Sequence, residues 1–157
     1  MKRLYRFVLL AAGLLLASQA VADSNMIYEK DVSGKLDVTY KHVFNGLENN
    51  GYFVIFEPNI GHNLANFKQR WGKEYNTNKL ESIRSMVISN AWYTNKVANA
   101  DPQMLALFPL HITLVYKNGV TRILFVRPSL VATGSPAEKV VLELEQDVIR
   151  TIESSVQ

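Results

Sequence analysis

The sequence predicts an α+β domain: an antiparallel β-sheet of about five strands with a long C-terminal helix packed on it. Three observations lead there. Asn118-Gly119 separates two largely apolar runs, Leu110 to Lys117 and Val120 to Arg127. Asn-Gly is the strongest two-residue hairpin signal, because a type I′ turn needs positive φ at both central residues. The chain closes on an amphipathic helix whose Ala137, Val141, Leu144, Val148 and Ile152 share one stripe. Between the first helix and the last the strand-like runs are grouped, which favours a sheet with helices on one face over alternating βαβ layers.

The elements follow in order. Met26 to Ser33 reads as a first strand. Asp37 is expected to cap the helix after it, since an aspartate at the N-cap accepts from a free amide of the first turn. Tyr40, Val43, Phe44 and Leu47 fall at i, i+3, i+4 and i+7 and make its apolar face. Asn50-Gly51 ends that helix, with glycine free to turn left-handed. Tyr52 to Phe56 reads as a short buried strand, broken by Pro58, Asn59 and Gly61. Ile60, Leu64, Phe67 and Trp71 then share a helical face, and Asn76 to Asn78 is a loop. Ile83 to Ser89 returns to strand.

A helix start is expected at Asp101-Pro102, with aspartate as cap and proline first inside. The hairpin register then follows from its turn. Tyr116 faces Thr121, Leu114 faces Ile123, Ile112 faces Phe125 and Leu110 faces Arg127, making one largely apolar face. His111, Thr113, Val115 and Lys117 point the other way, beside Val126, Leu124, Arg122 and Val120. Ser135-Pro136-Ala137-Glu138 reads as a capping box opening the last helix. The order is β-α-β4-α, with helical insertions after the second and third strands.

The N-terminus predicts export. Lys2, Arg3 and Arg6 precede an apolar run from Phe7 to Leu16, and Ala20-Val21-Ala22 is an A-x-A cleavage pattern. That is the layout of a secretory signal peptide, and the run is shorter than the ~20 residues a spanning helix needs. Residues 1–22 are read as a cleaved signal peptide and 23–157 as one domain. The location expected is periplasmic, or extracellular, with no membrane anchor left after cleavage. Of the 17 Lys and Arg and 14 Asp and Glu, three basic residues fall in the signal, so residues 23–157 are formally neutral. A neutral domain gives no reason to expect nucleic acid. There is no cysteine, so disulfides, thiol nucleophiles and thiolate metal sites are excluded.

The segments "GYFVIF", "ISNAWY" and "DPQMLALFPLHITLVYKNGVTRILFVRP" resemble the family catalogued as domain of unknown function 302, over roughly Asp31 to Val156. Family members typically carry an Asn-Pro or Cys-Asn-Pro step after a strand and a Leu-Pro before a hairpin strand. Here those positions are Ser89-Asn90-Ala91 and Phe108-Pro109-Leu110. The resemblance implies a TATA-box-binding-protein-like sheet-and-helix fold and a homodimer, and no established activity. A fold name carries no DNA-binding expectation. With serine and phenylalanine at the two motifs, any thiol-based role in relatives does not carry over.

The three histidines, His42, His62 and His111, show no H-x-H, HExxH or H-x-x-x-H spacing, so no converging metal set is legible. The serines lie outside any G-x-S-x-G elbow, and Gly61 alone is no phosphate loop. No catalytic residue and no cofactor is expected. Trp71, Tyr75, Trp92 and Tyr93 flank the two insertions. Packing over the sheet is their ordinary role; an aromatic cleft or interface is the functional one. The candidate binding rim is Asn90, Trp92, Tyr93, Asn95, His111 and Arg127, with Arg127 otherwise paired to Asp101 or a C-terminal carboxylate. The reading is an exported, non-catalytic small-ligand- or protein-binding accessory that forms a homodimer. The alternatives are a metal- or haem-binding protein using His62 and His111, and an unrecognised hydrolase.

Overall fold

The hairpin sets the frame of the sheet. The computed structural model describes residues 26–157; the expected signal peptide lies outside the described residues. Strand β4 (Leu110–Lys117) returns through Asn118-Gly119, both at positive φ, into β5 (Val120–Val126). Their register pairs Ile112 with Phe125, Leu114 with Ile123 and Tyr116 with Thr121, as the turn requires. Strand β1 (Ile27–Ser33) pairs antiparallel with β5, and β3 (Ser82–Ser89) with β4. The short β2 (Phe53–Phe56) closes the other edge, so the five-stranded antiparallel sheet runs β1-β5-β4-β3-β2.

Helices α1 (Leu36–Asn49) and α5 (Glu138–Ser155) lie on one face. Their stripes, Leu36, Tyr40, Val43 and Leu47 on one and Leu144, Val148 and Ile152 on the other, share a buried cluster with Met86, Ile88, Ile112, Leu114, Ile123 and Phe125. Period 3.6 in the helices and period 2 in the strands thus meet at a single layer. A smaller cluster forms where Val97 of α4 (Ala91–Ala100) meets Ala132, Ala137 and Val141.

Helix α1 ends in a Schellman motif. Gly51 takes φ +77°; the Tyr52 amide reaches the Leu47 carbonyl at 2.9 Å and the Gly51 amide reaches Glu48 at 3.2 Å. Tyr52 and Leu47 supply the apolar contact that accompanies this geometry.

Five local expectations are corrected. Lys35, not Asp37, is the N-cap of α1, and Asp37 sits inside the first turn, where it meets Arg84 at 3.3 Å. The expected buried strand Tyr52–Phe56 begins one residue later and is an edge: Tyr52 is buried, but Phe53, Ile55 and Phe56 are exposed. Apolar content alone does not separate a central strand from an edge. The helix expected through Ile60–Trp71 breaks into α2 (Ile60–Ala65) and α3 (Lys68–Trp71), followed by a 3₁₀ turn, Gly72–Glu74. Asp101 does cap, accepting from the Gln103 amide at 3.0 Å with Pro102 first inside, but it opens a 3₁₀ turn, Pro102–Leu107; the α-helix, α4, starts earlier, with Asn90 accepting from the Tyr93 amide at 3.1 Å. The capping box is shifted: Glu138 accepts from the Gly134 amide, Ser135 Oγ accepts from the Ala137 amide, and the helix begins at Glu138.

The β2 edge carries its own guard. The Val54 amide donates to the Glu48 carboxylate at 2.7 Å, which occupies a donor that a second strand would otherwise take. Glu48→Ala is expected to lower stability by only about 0.5–1.5 kcal/mol yet raise self-association beside exposed Phe53, Ile55 and Phe56. Time-resolved light scattering at matched concentration checks this. Unchanged scattering would show that the carboxylate does not guard the edge.

Candidate functional site

Strand alternation sends half of the sheet's side chains away from the helices. On β1 these are Ile27, Glu29 and Asp31; on β5, Val120, Arg122, Leu124 and Val126; on β4, His111, Thr113, Val115 and Lys117. The two ends of this face differ. At one end Ile27 is 41 % and Val126 43 % exposed, and with Glu29, His111, Thr113 and Leu124 they line a shallow depression of about 340 Å³. At the other end Arg122 donates to both oxygens of Asp31, at 2.7 and 2.8 Å, and meets Glu29 at 3.3 Å. Those hydrogen bonds hold the Asp31 carboxyl below its ordinary value, against the opposing effect of burial. Lys117 and Val120 flank a second depression of about 400 Å³ there.

The sequence-derived rim does not assemble into one site. Asn90 caps α4 and donates from Nδ2 to the Gly51 carbonyl at 3.1 Å, pinning the helix start to the end of α1. Tyr93 packs against the main core and stacks on Tyr52 at 6.5 Å. Burial and the nearby Asp147 and Glu143 carboxylates raise its phenol pKa. Trp92 stays in solvent, 63 % exposed, with Lys96 Nζ 5.0 Å from its ring centroid. Asn95, exposed, lies further along the same helix. Arg127 turns to the helix face and pairs with Glu145 of α5 at 3.2 Å. Of its two expected partners, Asp101 or a C-terminal carboxylate, it takes the second, while Asp101 accepts from Ser135 Oγ at 2.6 Å. His111 alone of the six looks onto the depression on the uncovered face.

His62 and His111 also lie apart. The Gly61 backbone runs so close to β3 that a Cβ there would sit 3.1 Å from the Ile83 amide nitrogen, whereas His111 pairs with Val87. Four residues along a strand is roughly 13 Å. His62 lines a different depression, of about 340 Å³, with Asn59, Tyr75, Asn76, Glu81 and Ser82. Among the described residues no three His, Asp or Glu side chains converge as a metal set.

With this geometry in hand, kinship is decided by a family model that matches residues 28–155, under the description Domain of unknown function DUF302. The chain belongs to that family. A crystal structure of an uncharacterized conserved DUF302 protein from Bacillus stearothermophilus superposes with a TM-score of 0.72 at 17 % identity. The match covers 85 % of this chain and 100 % of that one. At that identity the likeness establishes the shared DUF302 fold. No curated protein matches the sequence.

Sequence reasoning found half of this face. The hairpin register put His111, Thr113 and Val115 beside Val126, Leu124 and Arg122. It missed Ile27, Glu29 and Asp31, because nothing local to β1 says that it pairs with β5, some ninety positions away.

Proposed function

We propose that the chain is an exported, non-catalytic binding domain that uses the uncovered face of its sheet to hold a protein partner, in the first instance a second copy of itself. The observation that carries the reading is the contiguous apolar end of that face, Ile27, Leu124 and Val126 around His111. Scattered exposed apolar residues are ordinary; contiguous ones mark interaction surfaces. The homodimer implied by the family resemblance needs one patch that serves both subunits, and the apolar end of this face can supply it. A shallow depression suits a flat partner better than an enclosed small ligand. The export reading rests on the N-terminal basic, apolar and A-x-A pattern.

Native mass spectrometry of residues 23–157 tests this at micromolar concentration. The expected result is a dimer, and a monomer for Val126→Asp with its thermal midpoint preserved, since Val126 is exposed. A wild-type chain that stays monomeric, or a dimer indifferent to Val126→Asp, would remove the face from this role.

A further inference from the structure

The chain between β2 and β3 stays against the sheet only at its start, where the Pro58 carbonyl accepts from the Ser85 amide and Gly61 lies beside Ile83. Helices α2 and α3 and the 3₁₀ turn after them contain no buried residue, and every residue from Asn66 to Glu74 is exposed. Within that run Phe67 and Trp71, one helical turn apart, stack on each other with ring centroids 5.0 Å apart and planes at 17°. They are 43 % and 38 % exposed and belong to neither buried cluster. Packing within this chain therefore gives no account of two large aromatic rings on a projecting tip.

The same tip holds the domain's charge asymmetry. Residues 66–80 contain four basic residues, Lys68, Arg70, Lys73 and Lys79, and one acid, Glu74. The rest of residues 23–157 has ten basic and thirteen acidic residues. A formally neutral domain is thus polarised, with its excess positive charge gathered around the exposed rings. Among the described residues none of these four cations forms an ion pair, whereas six of the ten basic residues outside the tip do: Lys30, Arg84, Lys96, Arg122, Arg127 and Arg150. Lys68 instead lies 6.0 Å from the Tyr75 ring centroid.

We propose that the Phe67–Trp71 tip docks the domain reversibly on an anionic lipid surface. Aromatic rings settle at headgroup level, while lysine and arginine reach the lipid phosphates on long apolar stems. The charge complementarity selects anionic over zwitterionic lipid. Two rings stacked on each other leave few free faces for bases, which sets this tip apart from a single-strand-binding platform. Among the described residues no helix is long and apolar enough to cross a membrane, so the contact is peripheral.

Residues 23–157 carrying Trp92→Phe keep Trp71 as the one tryptophan and report on the tip directly. Mixed with vesicles of phosphatidylglycerol and phosphatidylcholine, this protein should sediment with the lipid and shift its emission to the blue. It should do neither with phosphatidylcholine alone, and raised salt should release it. Phe67→Ala/Trp71→Ala and, separately, Lys68→Glu/Arg70→Glu should each weaken binding roughly tenfold or more, with thermal midpoints preserved. Failure to bind anionic vesicles overturns the proposal. So does equal binding by both double variants, equal binding to phosphatidylcholine alone, or tighter binding to a single-stranded oligonucleotide at the same salt.

Discussion

Arg127→Ala is expected to lower the unfolding free energy by about 2–3 kcal/mol, because it takes the charged partner from a buried carboxylate. Glu145 is 3 % exposed. Its two oxygens are held by Arg127 Nη1 at 3.2 Å and by the Ser129 amide at 3.0 Å. Removing the guanidinium, itself 28 % exposed, leaves the Ser129 amide and only such water as enters the vacated space to satisfy that charge. Glu145→Ala should cost a similar amount by the reverse route, since Arg127 already has its Nε buried without a partner. Replacing both with leucine should recover much of the loss, as exchanging a whole buried pair for apolar side chains commonly does. Urea unfolding of the four proteins closes the cycle. A loss under about 1 kcal/mol for Arg127→Ala would mean that the pair is solvated and idle.

That cycle bears on function as well as stability. The sequence placed Arg127 on a binding rim with Trp92 and His111. The structure sends it to the helix face, where it fixes the segment after β5 to α5. An Arg127→Ala variant that keeps full stability but loses partner capture would restore the rim reading. One that loses stability and dimerises normally once folded would confine Arg127 to the scaffold.

The large elements were legible because their periods are long and their punctuation is chemical. Asn118-Gly119 dictated the β4–β5 register, and the stripe from Ala137 to Ile152 dictated the buried face of α5. What failed was local and depended on distant partners. Phe53, Ile55 and Phe56 look like core residues, yet they lie on an edge, since exposure depends on whether another strand comes alongside. The spacing of Ile60, Leu64, Phe67 and Trp71 suits one helix. The first part lies against β3 at Gly61, while the part after Asn66–Phe67 buries nothing, and the helix splits between them. The candidate site fared worse than the fold: a rim of six residues requires that three segments converge, and only the pairing of β1 with β5 shows which surface remains uncovered.

Alkaline pH should separate the helix layer from the sheet. Three phenols sit in or beside the main cluster, each donating to a carboxylate: Tyr28 to Glu153 at 2.6 Å, Tyr40 to Glu57 at 2.7 Å and Tyr52 to Asp147 at 2.8 Å. Burial first, and then the adjacent carboxylate, pushes each phenol far above its ordinary range. In the unfolded chain these tyrosines ionise near pH 10; in the folded chain they stay protonated well beyond it. A raised folded pKa contributes stability that is fully present below the unfolded value and lost as pH climbs above it. Each tyrosine then removes up to about 1.4 kcal/mol per pH unit, so the three together remove at most roughly 4 kcal/mol per unit, and less in so far as solvent screens their part-buried hydroxyls. A domain stable by about 5–15 kcal/mol should therefore unfold within a few units above pH 10. Tyr52→Phe loses its hydrogen bond to Asp147 at neutral pH, yet should reduce the alkaline slope by about a third. Chemical denaturation from pH 9 upward reads both effects. A slope unchanged in the triple variant Tyr28→Phe/Tyr40→Phe/Tyr52→Phe would assign the alkaline loss to other groups. Because Glu153 and Asp147 both belong to α5, ionisation sets like charges between that helix and β1 at Tyr28, and between it and the end of α1 at Tyr52.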